Sequence, residues 1–311
     1  MKNVVYLYPS RDAAEKGERF GGTGFLVGIA STASPHLTFL YAVTNYHVAI
    51  SNGCSVVRVN RKDGQPDIFE FGPEDWHFDA QAGHDVAVVQ IPLRTNHDFL
   101  VLPHDGCLSR ELRDSQGIAP GDDIFIVGRF IDHDGETTNR PAIRFGHISI
   151  NQAPIPTAAF RKPVATYCLD TNSRTGYSGS PVWVYRTPFT DLQTMVDPST
   201  HGKMYLSGRP MLYLLGIHTG QFSETWEMLS DAETAEVEKL IKVTKTQIRG
   251  LSGMTLCTPA WAILDLLNSP KLKNARDLVN GMLENLGAGG VPVAVMDKLN
   301  KALGFDLLKG Q

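Results

Sequence analysis

An all-β fold is predicted for this chain by three features of its 311 residues. Short runs rich in Val, Ile, Phe and Tyr recur from Val4 to His218, the composition that suits a pleated, half-buried surface. Clusters such as Asp63-Gly64-Gln65-Pro66 and Asp132-His133-Asp134-Gly135 fall between the runs and supply turns. No long stretch of helical period separates one run from the next. Many short strands joined by turns read as a β-sandwich or a β-barrel.

Taken in order, strands are expected over 3–8, 23–30, 37–44, 54–60, 67–71, 85–91, 123–130, 142–151, 164–169, 181–186 and 211–218. The chain then changes character. Ser230 to Gly250 carries Val237, Leu240 and Ile241 among charges at near-helical spacing, which predicts an inserted helix. Met254 to Cys257 returns to strand, and Pro259 to Leu267 opens a helix with Thr258 as its N-cap and proline in the first turn. A further helix is expected from Ala275 to Leu286, ending at Gly287-Ala288-Gly289-Gly290, with a second amphipathic segment from Val293 to Leu303.

Composition narrows the function. With 42% hydrophobic and 20% charged residues and a net charge of −4, the chain is an ordinary globular one. No basic run suggests a nucleic-acid partner. The first apolar run, Val4 to Tyr8, breaks at Pro9, too short for a secretory segment, and no membrane-length apolar stretch follows. A cytoplasmic location and no membrane partner are expected. Cys54, Cys107, Cys168 and Cys257 are scattered in or beside apolar segments, as buried free thiols rather than disulfides. His77 and His84 have no third ligand at metal-binding spacing, so neither metal nor organic cofactor is expected.

The chemistry gathers around Thr175-Gly176-Tyr177-Ser178-Gly179-Ser180-Pro181, which leads into the apolar run Val182 to Tyr185. A serine between glycines at a strand entrance suits a nucleophile, because glycine permits a sharp turn that brings N–H groups near a reacting carbonyl. A serine needs a base, and the base a group to orient it. His47 follows the run Phe39 to Val43 through Thr44-Asn45-Tyr46, and Asp85 opens the run Val86 to Ile91. Glu74, Asp75 and Asp79 are nearby carboxylates, with Asp79 the next choice should Asp85 point away.

These segments, with Gly22-Thr23-Gly24-Phe25-Leu26-Val27 before them and Leu215-Gly216-Ile217-His218-Thr219-Gly220 after, resemble the chymotrypsin-fold serine proteases, in particular the bacterial trypsin-like peptidases. The order His47, Asp85, Ser178 is the order of that family rather than of subtilisins or α/β-hydrolases. The resemblance covers roughly residues 20 to 265 and rests on the set of segments together. It implies two six-stranded antiparallel β-barrels, with a helical insert and a helical extension. The first barrel would span 1–110 and carry His47 and Asp85. The second would span 111–268, carry Ser178 and the specificity pocket, and include the insert over 222–252. A linker near Leu108 to Pro120 would join them, and 269–311 would form the tail.

The resemblance also implies roles. His47 would be the general base, Asp85 its orienting partner, Ser178 the nucleophile, and the N–H groups of Gly176 and Ser178 the oxyanion hole. His218 would line the primary pocket, as in glutamyl endopeptidases and viral enzymes that cut after Glu or Gln. Ser173 and Arg174 would join it, and Asn172 stands where enzymes cutting after Lys or Arg carry an aspartate. Tyr177 replaces the aspartate that receives a new N-terminus in trypsin, so activation by that ion pair is not expected. Regulation is expected from another source: the insert, the tail or a regulatory protein partner. A protein or peptide is the expected substrate, with a latent peptide-binding module or a small-ester hydrolase as alternatives.

Overall fold

The β-branched and aromatic runs form two antiparallel systems. The first comprises β1 (Val4–Tyr8), β2 (Gly22–Ala30), β3 (Thr38–Thr44), β4 (Val56–Asn60), β5 (Pro66–Phe69), β6 (Ala87–Gln90) and the short β7 (Leu102–Pro103). Their order is β5-β4-β1-β2-β3-β6, with β7 parallel to β2. The second is a closed barrel in the order β10-β15-β14-β11-β8-β9, built from β8 (Asp123–Gly128), β9 (Ala142–Pro156), β10 (Pro163–Asp170), β11 (Pro181–Arg186), β14 (Met211–Glu227) and β15 (Gln247–Pro259). A separate hairpin pairs β12 (Leu192–Val196) with β13 (Met204–Gly208). The computed structural model describes residues 1–133, 135–157, 159–171, 175–187, 192–196, 204–208, 210–227 and 247–285.

The all-β chymotrypsin-like architecture is therefore present, with one difference from the expected pair of six-stranded barrels. The first sheet has seven strands and does not close through strand pairing. Gly72-Pro73 breaks the strand run after β5, and a 3₁₀ turn over Pro73–Asp75 follows. The gap to β6 is bridged only by His77, whose N–H and C=O pair with Val88 at 2.7 and 2.9 Å.

Further differences lie at the helices. Helix α1 (Arg11–Lys16) and helix α2 (Arg110–Gln116) were not expected, yet both carry ordinary end signals. Ser10 and Ser109 accept from the N–H of Ala13 and Leu112, and Gly17 and Gly117 close the helices at φ 65° and 60°. The insert is strand rather than helix where it is described. Residues up to Glu227 and from Gln247 continue the β14–β15 ladder, with Glu227 opposite Gln247, while 228–246 lie outside the described residues. The residues that carry the helical spacing, Val237, Leu240 and Ile241, are among those outside the described residues. Helix α3 (Ala260–Leu267) has Pro259 at its N-cap, and Thr258 belongs to β15 instead. Helix α4 (Pro270–Asn285) begins five residues earlier than expected. Leu286 and the segment Val293 to Leu303 lie outside the described residues.

One contiguous core joins the two systems. Phe25, Val27, Tyr41, Val43 and Val88 of the first sheet pack with Ile124, Ile126, Tyr167, Leu169, Val182 and Ile217 of the barrel. Ile263, Leu267, Leu272 and Val279 place α3 and α4 in the same cluster. Two arginines are also fully buried, Arg58 and Arg129, with their guanidinium groups over the rings of Tyr6 and Tyr8. Arg58 donates to Asn139 Oδ1 at 2.9 Å and to the Ala14 carbonyl at 2.7 Å. All four cysteines are free and buried, and burial pushes the Cys54 and Cys107 thiols up to about 11 and about 12.

Candidate active site

Strand β3 ends at Thr44, and the chain turns through buried Asn45 into a single wide helical turn, His47–Ser51. Asn45 Nδ2 donates to the Asp85 carbonyl at 2.8 Å, tying this turn to the entrance of β6. Asp85 is 1% exposed, and its two oxygens have separate partners. Oδ1 accepts the backbone N–H of His47 at 2.9 Å, and Oδ2 lies 2.6 Å from His47 Nδ1. A buried carboxylate of this kind is tolerable only because it is hydrogen-bonded. It holds the imidazole proton on Nδ1 and leaves the Nε2 lone pair available. Asp79 has a different role, since its Oδ1 accepts from the N–H groups of Gln81 and Ala82 and shapes a loop.

Ser178 stands in a turn whose backbone is held from three sides. Its carbonyl accepts from Thr23 N–H at 2.8 Å, Gly179 N–H donates to the His218 carbonyl at 3.0 Å, and Ser180 N–H closes onto the Tyr177 carbonyl at 2.9 Å. Gly176 and Gly179 adopt φ of 97° and 86°, a region that disfavours side chains. The Ser178 carbonyl and the Val48 side chain both flank Gly22, which brings the serine turn against the histidine turn. No hydrogen bond joins Ser178 Oγ to His47 among the described residues. In substrate-free proteins, contacts between a nucleophile and its base are often long and tighten only in the substrate complex. The N–H groups of Gly176 and Ser178 donate to no acceptor among the described residues.

His218 lies on β14 opposite Cys257 and is 1% exposed. Its N–H donates to the Ser180 carbonyl at 2.9 Å, so its backbone clamps the serine motif from both sides. Burial, and secondarily the nearby His47, push its imidazole down from 6.5 to about 3. The folded protein thus resists a protonation that the unfolded chain accepts. Stability from the neutral ring is complete above about pH 6.5 and is lost as the pH falls toward about 3. His218→Gln is expected to flatten the fall of the melting temperature across that window. Superimposable melting profiles for the variant and the parent would contradict this account. Asn172, Ser173 and Arg174 lie outside the described residues.

Tyr177 is fully buried, with the Arg144 guanidinium 5.7 Å from its ring centre. Thr23 is the residue that the sequence did not single out: it stands between Gly22 and Gly24 at the start of an apolar run, and no chemical signal marks it. A polar cavity of about 610 Å³ includes Arg19, Ile131, His133 and Arg140, and Ile131 also packs against Gly176. Among the described residues, no cluster of His, Cys, Asp and Glu is placed to hold a metal ion.

The model of the trypsin-like peptidase domain matches residues 22–187, over half of the chain. The chain belongs to the trypsin-like peptidase family. That match takes in His47, Asp85 and Ser178 but stops before His218. No curated protein matches the sequence. Among solved structures, the HtrA-type protease AlgW with a tripeptide is 19% identical, with a TM-score of 0.44 over 88% of this chain and 61% of that one. The chain covers 50% of the AlgW chain solved with a decapeptide, at 18% identity and a TM-score of 0.41. The MamO protease domain from Magnetospirillum magneticum is 16% identical over 85% of this chain and 95% of that one, with a TM-score of 0.43.

Proposed function

We propose that this trypsin-like peptidase is a serine endopeptidase working through Ser178, His47 and Asp85. The observation that carries this reading is the two-point hold of buried Asp85 on His47, in a turn that meets the serine turn across Gly22. In the first half-reaction Ser178 Oγ attacks the scissile carbonyl carbon while His47 Nε2 takes its proton. The N–H groups of Gly176 and Ser178 stabilise the oxyanion, an interaction worth roughly 3–4 kcal/mol of barrier per donor. His47 then protonates the departing amine as the C–N bond breaks. Water, deprotonated by His47, attacks the acyl carbon, and His47 returns the proton to Ser178 Oγ as the ester bond breaks.

The substrate reading also has structural support. The ladder between β11 and β14 ends at Pro181 and Ile217, so Thr219 to Gln221 continue beyond it. On the other side β14 stays paired to β15, with Gly220 opposite Leu256. An extended peptide could add to this strand edge. The proposed preference is Glu or Gln before the cut, with His218 as the pocket residue and Asn172, Ser173 and Arg174 beside it. A neutral His218 offers one ring N–H, which suits an amide or carboxyl oxygen. We also propose the division into 1–110, 111–268 and 269–311, with His47 and Asp85 on one side of the cleft and Ser178 on the other, and a cytoplasmic location.

The test is labelling with a fluorophosphonate, followed by a peptide library scored for the residue before the cut. Labelling is expected in the parent protein and absent in Ser178→Ala. Cleavage is expected after Glu or Gln and should lose that preference in His218→Ala. Absence of labelling in folded parent protein would favour a peptide-binding module instead.

A further inference from the structure

The geometry points to Thr23 as a positioning residue that sets the oxyanion loop through its side-chain hydroxyl. This inference rests on Ser178 being the nucleophile. Thr23 is fully buried at the start of β2. Its Oγ1 lies 2.7 Å from the Gly176 carbonyl and 2.9 Å from the backbone nitrogen of Arg129. The Arg129 N–H can only donate, so it uses an oxygen lone pair of the hydroxyl. The single hydroxyl proton is then directed at the Gly176 carbonyl. The polarity of this bridge is therefore decided by its partners.

The consequence falls on the Gly176–Tyr177 peptide. With its carbonyl held on Thr23, that peptide has a set orientation, and Gly176 is kept at φ 97° with its Cα against the Arg129 carbonyl and Ile131. A Cβ at Gly176 would lie 2.6 Å from that carbonyl oxygen, so the loop has little room to relax there. Thr23 also holds the other end of the same three residues, since its own N–H donates to the Ser178 carbonyl at 2.8 Å. Its carbonyl in turn accepts from Thr44 Oγ1 at 2.7 Å, which links it to the strand that leads to His47. One residue therefore fixes two carbonyls of the loop, that of Gly176 between the two N–H groups proposed to receive the oxyanion and that of Ser178 immediately after them.

The backbone bond survives any substitution at Thr23, so the hydroxyl can be tested alone. Thr23→Val keeps the shape and removes the donor, while Thr23→Ser keeps the donor. For Thr23→Val, the rate of Ser178 labelling by a fluorophosphonate and kcat are expected to fall roughly 10- to 100-fold, with KM changed less than about 3-fold. Thr23→Ser should recover most of the rate. The pH profile should keep its midpoint, because the contacts of His47 with Asp85 are untouched. If Thr23→Val does not fold, Thr23→Ala is read in the same way. Parent-like labelling in Thr23→Val, or equal losses in the Val and Ser variants that track the melting temperature, would overturn the positioning role while leaving the nucleophile in place. No labelling of the folded parent would remove both.

Discussion

Asp85→Asn is expected to lower kcat by about 10⁴-fold while the protein stays folded. The reason lies in the two contacts of the carboxylate. The backbone N–H of His47 donates to Oδ1 and cannot do otherwise, so an asparagine must turn its carbonyl oxygen to that N–H. Its NH₂ group then faces His47 Nδ1, now 2.6 Å from Oδ2. A nitrogen that receives a hydrogen bond carries no proton, which moves the imidazole proton to Nε2. The Nε2 lone pair that the proposed mechanism requires is thereby lost without any change of shape. Measured kcat on a cleaved peptide, beside the melting temperature, checks this. A loss below about 10-fold would show that Asp85 does not set the tautomer.

Gly179→Ala is expected to abolish Ser178 labelling and to lower the melting temperature by about 10 °C, from about 3–5 kcal/mol of strain and lost contacts. Gly179 has φ 86°, and a Cβ there would lie 1.9 Å from the Thr23 carbonyl oxygen and 2.4 Å from Thr44 Oγ1. The first of these atoms is backbone in the middle of the first sheet, so relief requires moving β2 away from the serine turn. That movement would break the bond from Thr23 to the Ser178 carbonyl, and with it the contact between the two turns. Normal labelling with an unchanged melting temperature in Gly179→Ala would mean that the turn is not packed against Thr23 as described.

Most strands were legible because their apolar runs are bounded by turn residues. The run over 181–186 is reproduced residue for residue, and 38–44 and 123–128 differ from expectation only at their ends. The expected helix of the insert rests on Val237, Leu240 and Ile241, which lie outside the described residues, while at its end Gln247 to Gly250 are strand through pairing with residues twenty or more positions away. Helices α1 and α2 are short, six and seven residues, so their apolar period is too brief to register although their caps are ordinary.

The site divides in the same way. His47, Asp85 and Ser178 could be picked out because each sits at the end or mouth of a strand, where a reactive group has both support and access. Asp85 could be told from Asp79 only by the structure, which gives one the histidine and the other a loop. Thr23 and the buried arginines Arg58 and Arg129 carried no local signal, since their partners lie on other strands and loops: Gly176 for Thr23, Asn139 for Arg58 and Phe20 for Arg129.

By itself the sequence determined the all-β class and the order in which the candidate residues occur, because alternating apolar runs and glycine-flanked turns are local chemistry. The tertiary structure alone decided which carboxylate meets His47, which hydroxyl holds the Gly176 carbonyl, and that His218 stays neutral. Each of those depends on burial and on hydrogen bonds between residues far apart in the chain, and neither exists until the sheets have closed around them.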